Sequence, residues 1–260
     1  SKEIALLRGV IGSLFLIAVM VFSKEKISVS ALKKNKFLLI ASGIGIGANW
    51  IFLFEAYKYT TVSIATLSYY CAPIFVTIAA PVVLKEKLSL KKFLCVCVAM
   101  LGMLFIVGTN KGNTGTEYNH LLGIIYGLGA AIFYASVILM NKFIKDLKGV
   151  ETTVAQLVLA SLILFPYVMA TSGFDFSNMT AKSWMCMIFL GVFNTGFAYA
   201  LYFTAIKNLN SQTIAVLSYI DPITAVIVSA VFLGEKMTMF QIIGGILILG
   251  STFISEKIKK

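Results

Sequence analysis

Residues Ile64–Lys87 read IATLSYYCAPIFVTIAAPVVLKEK, and residues Ile214–Lys236 read IAVLSYIDPITAVIVSAVFLGEK. Both run I-A-x-L-S-Y, then a proline, then Glu-Lys, with Glu86 thirteen residues after Pro73 and Glu235 thirteen after Pro222. Upstream, Gly47 matches Gly196, Phe54 matches Phe203, and Ala56-x-Lys58 matches Ala205-x-Lys207, all at an offset of 149. Apolar segments resemble one another by chance, but not in register across two helices and the loop that joins them. The chain carries a duplication.

Outward from these segments the sequence is a succession of apolar runs. It has 260 residues, 59% hydrophobic and 13% charged, with a mean hydropathy of +0.92. Soluble domains lie nearer 45–50% apolar and about 25% charged. A soluble surface cannot hide that excess, whereas a bilayer requires it. Nine spans follow, at about 4–22, 37–57, 62–84, 91–108, 121–141, 150–171, 184–206, 211–233 and 238–255. Each approaches the ~20 helical residues that cross ~30 Å of hydrocarbon. The longest polar stretches are Ser23–Lys36, Asn110–His120 and Ser172–Lys182, so neither a soluble domain nor a linker of note is expected.

The net charge of +11 comes from lysines in short connections, which points to membrane orientation rather than nucleic acid. Cys71, Cys95, Cys97 and Cys186 fall inside apolar runs and read as small hydrophobes, with neither a disulfide nor a metal site indicated. His120, the only histidine, is placed in a polar loop. That leaves no histidine-based metal site or catalytic triad.

The second copy comprises five spans and the first only four, because the run at 121–141 has no counterpart ahead of Ile4–Phe22. The fold expected is therefore an all-α membrane protein, an inverted-repeat transporter fold of ten transmembrane helices (five plus five) with the first missing from this chain. The repeats are assigned to residues 1–110 and 111–260. With the Ser23–Lys36 loop inside, sixteen lysines fall on the cytoplasmic side and five outside, which sets the orientation and puts the C-terminus in the cytoplasm. An odd number of spans per repeat makes the repeats inverted, a common architecture of secondary transporters.

The two L-S-Y…P…(L/G)-E-K segments, the Gly/aromatic-rich helix before each, and Gln156 early in the sixth span resemble the EamA-type members of the drug/metabolite transporter superfamily. The resemblance covers essentially the whole chain. It implies both termini in the cytoplasm and a central cavity walled by the second, third, fifth, seventh and eighth spans. Members move amino acids, nucleosides, sugars and other small metabolites, many of them outward. A prokaryotic plasma membrane is the location it implies.

Asp221, in S-Y-I-D-P near the middle of its span, is the most informative side chain. A charge at a helix centre costs ~2.5–3.5 kcal/mol on insertion scales, so such acids usually serve a function. Asp221 is expected to bind a substrate amine or take up a coupling proton, against the alternative of an interhelical hydrogen bond. The resembled family often has an acid here, whereas the third span has Cys71-Ala72-Pro73. Pro73 and Pro222 are read as mid-helix kinks with either a gating or a packing role. Asn49, Trp50, Tyr70, Tyr134, Asn194, Tyr199 and Ser218 lie at similar depth and are the further candidates for a substrate-binding, aromatic-lined cavity. Glu55 is read as a solvated helix end, with an external gate contact to Lys58 as the alternative, Arg8 likewise as a solvated end, and Glu86 and Glu235 as residues that orient connections.

These readings favour a secondary transporter of a small metabolite, working outward by alternating access, with membrane lipids and a small molecule as partners. A coupling proton, and a monomer or homodimer, fit the same picture. A scaffold or lipid-handling subunit is the alternative. An intramembrane enzyme is least favoured, since Asp221 is the one acid at depth and no Walker A or H-E-x-x-H sequence is present.

Overall fold

A computed structural model describes residues 2–23, 28–87, 89–107, 119–171, 180–233 and 238–257. Glu235 and Lys236, which close the second repeated segment, lie outside them. All nine expected spans are helical, and no strand occurs among the described residues. Among the described residues, six helical stretches are long and apolar enough to cross a membrane: Glu3–Phe22, Lys36–Tyr59, Ile64–Val83, His120–Asn141, Gly149–Thr171 and Ala181–Ile206. Met239–Ser255 is a shorter apolar helix.

In chain order the helices are α1 (Lys2–Phe22), α2 (Val29–Lys34), α3 (Lys36–Tyr59), α4 (Val62–Tyr69), α5 (Ala72–Val83), α6 (Leu90–Val107) and α7 (His120–Asn141). They continue with α8 (Gly149–Thr171), α9 (Ala181–Phe189), a π-helical stretch (Leu190–Phe197), α10 (Ala198–Ile206), α11 (Ser211–Leu217), α12 (Ile220–Leu233) and α13 (Met239–Lys257). His120 begins α7 rather than lying in a loop, and its Nδ1 is 2.8 Å from Thr60 Oγ1. The four cysteines are free, but Cys186 is exposed on α9, so it is not the buried thiol its apolar run suggests.

The chain divides into two compact units, each assembled from both halves of the sequence: Ser1–Phe54 with Ser136–Asn208, and Glu55–Ala135 with Leu209–Lys260.

In the first unit, glycine sets how closely helices approach. A Cβ on Gly12 would stand 3.0 Å from the Gly191 carbonyl oxygen and 3.1 Å from the Gly196 nitrogen, and one on Gly191 would stand 2.6 Å from Ile11 Cβ. Backbone thus lies against backbone where α1 crosses the π-helical stretch, as small residues permit between apolar helices. A buried polar staple joins α3, α7 and α8. Gln156, with no exposed surface, donates from Nε2 to Ser42 Oγ (2.7 Å) and to Asn141 Oδ1 (3.2 Å). At one end of the unit Glu151 accepts from the Ser28 and Lys148 backbone N–H groups, and Lys207 Nζ donates to the Leu147 carbonyl and Thr152 Oγ1. Beside them Lys34 and Asp146 form an exposed ion pair at 2.6 Å.

In the second unit, α6 packs along α13. A Cβ on Gly102 would stand 2.6 Å from the Gly244 carbonyl oxygen. The core against this pair includes Val96, Ala99, Met103, Val216, Tyr219, Ile223 and Ile248. The connection after α5 is docked by side chains: Glu86 accepts from the Ser211 backbone N–H and hydroxyl, and Gln212 Nε2 donates to the Lys87 carbonyl. Lys92 Nζ donates to Thr213 Oγ1 at 3.1 Å. Glu86 therefore satisfies orphan N–H donors at the start of α11, which orients the connection. Glu55 and Lys58 pair at 2.6 Å, so Glu55 is a paired rather than a merely solvated helix end.

Two outcomes follow. Gly191→Ala is expected to lower stability by ~1–3 kcal/mol, as overpacking does, whereas Gly250→Ala, with nothing within 4 Å of its added Cβ, should be neutral. Thermal unfolding of the purified variants separates the two. The second outcome concerns Asp146, whose carboxyl the Lys34 ammonium holds below the usual range. The folded value lies under the unfolded one, about 3.9, so the pair stabilises fully above that value and its contribution is lost as the pH falls through the folded value. Any gap in melting temperature between the parent and Lys34→Met should accordingly be constant near neutrality and close below about pH 4.

Candidate functional site

The repeated L-S-Y…P segments are broken helices. The first pauses in a turn at Tyr70–Cys71, between α4 and α5, and the second at Ser218–Tyr219, between α11 and α12. Each break lies at or just after a serine that bonds back one turn. Ser68 Oγ donates to the Ile64 carbonyl and Ser218 Oγ to the Ile214 carbonyl, both at 2.9 Å. Each helix then tightens through an N–H bonded three residues back, Cys71 to Ser68 and Tyr219 to Val216, both at 3.2 Å. The prolines come next, in the first turn of each second half. There a missing N–H costs nothing, because first-turn donors have no intrahelical acceptor. Pro73 and Pro222 are therefore not mid-helix kinks. They start new half-helices.

A helix broken at membrane depth exposes carbonyls that must find donors. Tyr70 is the C-cap of α4, and its carbonyl accepts from the hydroxyl of Tyr219 at 3.0 Å. Tyr219 has no exposed surface, and Met100 Sδ lies 3.6 Å from the same hydroxyl. The break in one repeat is thus capped by the tyrosine in the break of the other. The two rings stack at 6.4 Å, Tyr69 meets Tyr70 at 5.9 Å, and Tyr134 meets Tyr69 at 5.6 Å.

Tyr134 reaches this cluster because α7 presents a small-residue stripe to α4. A Cβ on Gly127 would stand 2.6 Å from Ser68 Cβ, and one on Gly123 would stand 2.5 Å from Thr60 Cγ2. Gly123, Gly127 and Tyr134 share one helical face. Asp221 lies in the first turn of α12, one residue before Pro222, and is exposed. It occupies the start of a half-helix rather than the middle of a continuous one, where the dipole favours an anion. Tyr70, Tyr134, Ser218, Asp221, Pro73 and Pro222 therefore gather around the paired breaks of the second unit.

The first unit holds the other candidates and a residue that the sequence reading set aside. Arg8 lies six residues into α1, roughly 9 Å along its axis. Its Nε donates to Thr195 Oγ1 at 3.1 Å, and its guanidinium sits 5.4 Å over the ring of Trp50. Arg8 is therefore a packed, partnered cation and not a solvated helix end. The close crossing at Gly12 and Gly191 brings it there, since Arg8, Ile11, Gly12 and Phe15 share a face. Trp50 is 5% exposed and lies 6.3 Å from Tyr199, which in turn packs edge-on to Phe203. Asn49 is buried on α3 beside Trp50, while Asn194 is exposed on the π-helical stretch. π-Helical turns inside α-helices are frequent at functional sites.

The signal for Arg8 was present in the sequence: it is the chain's only arginine and stands inside an apolar span. An arginine there is costly by the same insertion scales that mark out Asp221. Among the described residues no group of three or more His, Cys, Asp or Glu could hold a metal ion.

The helices define an integral, multi-pass membrane protein. The chain belongs to the EamA-like transporter family, whose profile matches residues 1–108 and 121–256. It is 30% identical over 216 residues to an uncharacterised transporter of Bacillus subtilis, YxxF, covering 83% of this chain and 68% of that one. It is 29% identical over 202 residues to an uncharacterised transporter of Archaeoglobus fulgidus, covering 77% and 69%. A third relative, YetK of Bacillus subtilis, is 26% identical over 260 residues, covering 98% and 78%. Among solved structures, one crystal structure superposes with a TM-score of 0.85 at 15% identity, over 98% of this chain and 87% of that one, and so shares the fold. The relatives are named as transporters, not as enzymes.

Tyr219→Phe removes the hydroxyl that donates to the Tyr70 carbonyl and keeps the ring. It is expected to cost ~1–3 kcal/mol, the penalty of an unsatisfied buried acceptor, and more than Ser218→Ala, which leaves an intrahelical carbonyl with its backbone partner. Comparison of the melting temperatures of both variants checks the order.

Proposed function

We propose that this chain is a secondary transporter that exports a small metabolite, an amino acid, nucleoside or similar, by alternating access around a midplane cavity. In this reading the ten-helix inverted repeat sits in the plasma membrane with its C-terminus in the cytoplasm, and residues 1–110 and 111–260 are the two repeats. It acts as a monomer or homodimer among membrane lipids.

One observation supports the reading: the two helices that carry the L-S-Y motif are both interrupted at it, between α4 and α5 and between α11 and α12. Discontinuous helices at equivalent places in two repeats are the usual construction of a transporter's substrate site, because half-helix ends offer oriented dipoles and unwound carbonyls at depth. A scaffold has no need of two such breaks, each of which costs intrahelical hydrogen bonds in a medium that cannot replace them. Asp221, at the start of a half-helix beside one break, is assigned the substrate amine or the coupling proton. Tyr70, Tyr134 and Ser218 are assigned the walls around it, with Asn49, Trp50, Asn194 and Tyr199 as further binding residues. Pro73 and Pro222 are assigned the flexing of the half-helices.

Counterflow uptake into proteoliposomes tests this, with a panel of labelled amino acids and nucleosides and with Asp221→Asn beside the parent. Saturable uptake by the parent that falls at least tenfold in Asp221→Asn is the expected result. Uptake unaffected by the substitution would remove Asp221 from the mechanism. A folded parent that carries no member of the panel would count against these substrate classes.

A further inference from the structure

We infer that Arg8 is an oxyanion-binding residue of the first unit, built to hold a planar carboxylate on the substrate. The inference deepens the transport reading and rests on it only in taking the carboxylate's owner to be the transported molecule.

The argument begins with how the guanidinium is used. Arginine has five N–H donors in a rigid plane. Here Nε–H is spent on Thr195 Oγ1, and the guanidinium carbon lies over the Trp50 ring, 5.4 Å from its centroid. Among the described residues no acceptor is recorded for the two terminal nitrogens. With Nε–H engaged, the N–H groups that remain for a ligand are those of the terminal nitrogens. The end-on edge, with its two parallel N–H groups, is therefore the part left over. That edge matches the spacing of a carboxylate's two oxygens, the bidentate fork that makes arginine preferable to lysine at such sites.

A structural arginine would be arranged differently. Within an apolar span, a cation kept for packing alone is normally neutralised by an acid or by several carbonyls. The described partners of Arg8 are a neutral hydroxyl and an aromatic ring. They orient the group and favour its charge without neutralising it. Its mounting is also rigid. The close crossing at Gly12 and Gly191 fixes α1 against the π-helical stretch that carries Thr195, and Trp50 is locked between Arg8 and Tyr199. A preorganised donor pair loses little freedom on binding.

Because Arg8 is the only arginine, one reagent reads the site without a substitution. Phenylglyoxal attacks guanidinium groups whose terminal nitrogens are accessible, and intact-mass spectrometry of the chain in nanodiscs reports a single possible adduct, with Arg8→Lys as background. Protection is measured with free L-leucine, L-threonine and L-phenylalanine, and with the amide of each, which keeps the side chain and amine but loses the carboxylate. The expected result is labelling that at least one free acid slows about tenfold or more while its amide does not, since charge-assisted bonds of this kind are worth about that ratio.

Arg8 that resists labelling would show its edge to be sealed and would overturn the proposal. Equal effects of acid and amide would overturn it too, as would labelling that is slow without any added acid in phosphatidylglycerol but not in phosphatidylcholine nanodiscs, which would assign the edge to an anionic lipid headgroup. Counterflow that persists while protection fails would remove this inference and leave the transporter. Protection without counterflow would keep the carboxylate site and count against transport.

Discussion

In the second unit the hydrogen bond from the Tyr219 hydroxyl to the Tyr70 carbonyl makes the rest of the arrangement possible. Hydrocarbon offers backbone groups no partners, so a helix can break at depth only where protein supplies a donor. Two helices break here, and part of the cost is met by the tyrosine of the second break, which reaches the carbonyl freed at the first. That bond needs Tyr219 buried on α6 and α13, which needs the close approach at Gly102 and Gly244. It also needs serine hydroxyls that bond back one turn and tighten each helix before its pause. Proline completes the device by beginning each second half where its missing N–H is harmless.

The first unit is organised by a different constraint, the accommodation of a single arginine within an apolar span. The solution is geometric. Glycines remove the side chains that would hold α1 away from the π-helical stretch, and that approach puts Thr195 within reach of Nε while Trp50 lies under the guanidinium. Each unit thus places one of the candidate side chains of opposite chemistry: Asp221 at the start of a half-helix in one, and Arg8 over the Trp50 ring in the other. Both units draw on both halves of the sequence, so neither repeat builds its surroundings alone.

At the ends of the helices, side chains do the work that water cannot do within the span. Glu86 holds the first residue of α11, Glu151 holds the N–H groups of Ser28 and Lys148, and Lys207 reaches back to the start of α8. The duplicated lysine shows how position alters a role. Lys58 pairs with Glu55, whereas its repeat partner Lys207 caps carbonyl and hydroxyl oxygens.

The helices, their approximate limits and the duplication were legible in the sequence, because hydropathy over about 20 residues and self-similarity at a fixed offset are properties of the chain alone. Asp221 and the paired prolines were legible for the same reason, as departures from an apolar run. Tertiary structure decided what those departures do. No local signal says that Ser68 and Ser218 bond back to an isoleucine carbonyl, or that Tyr219 spends its hydroxyl on the other repeat's break. Arg8 shows the limit most clearly. Its position near a helix end reads as solvated, and only the glycine-permitted crossing of α1, nearly 190 residues away from its partner Thr195, turns it into a held cation. Contacts so distant in the chain arise from which helix faces can approach, and that is a property of packing rather than of any stretch of sequence.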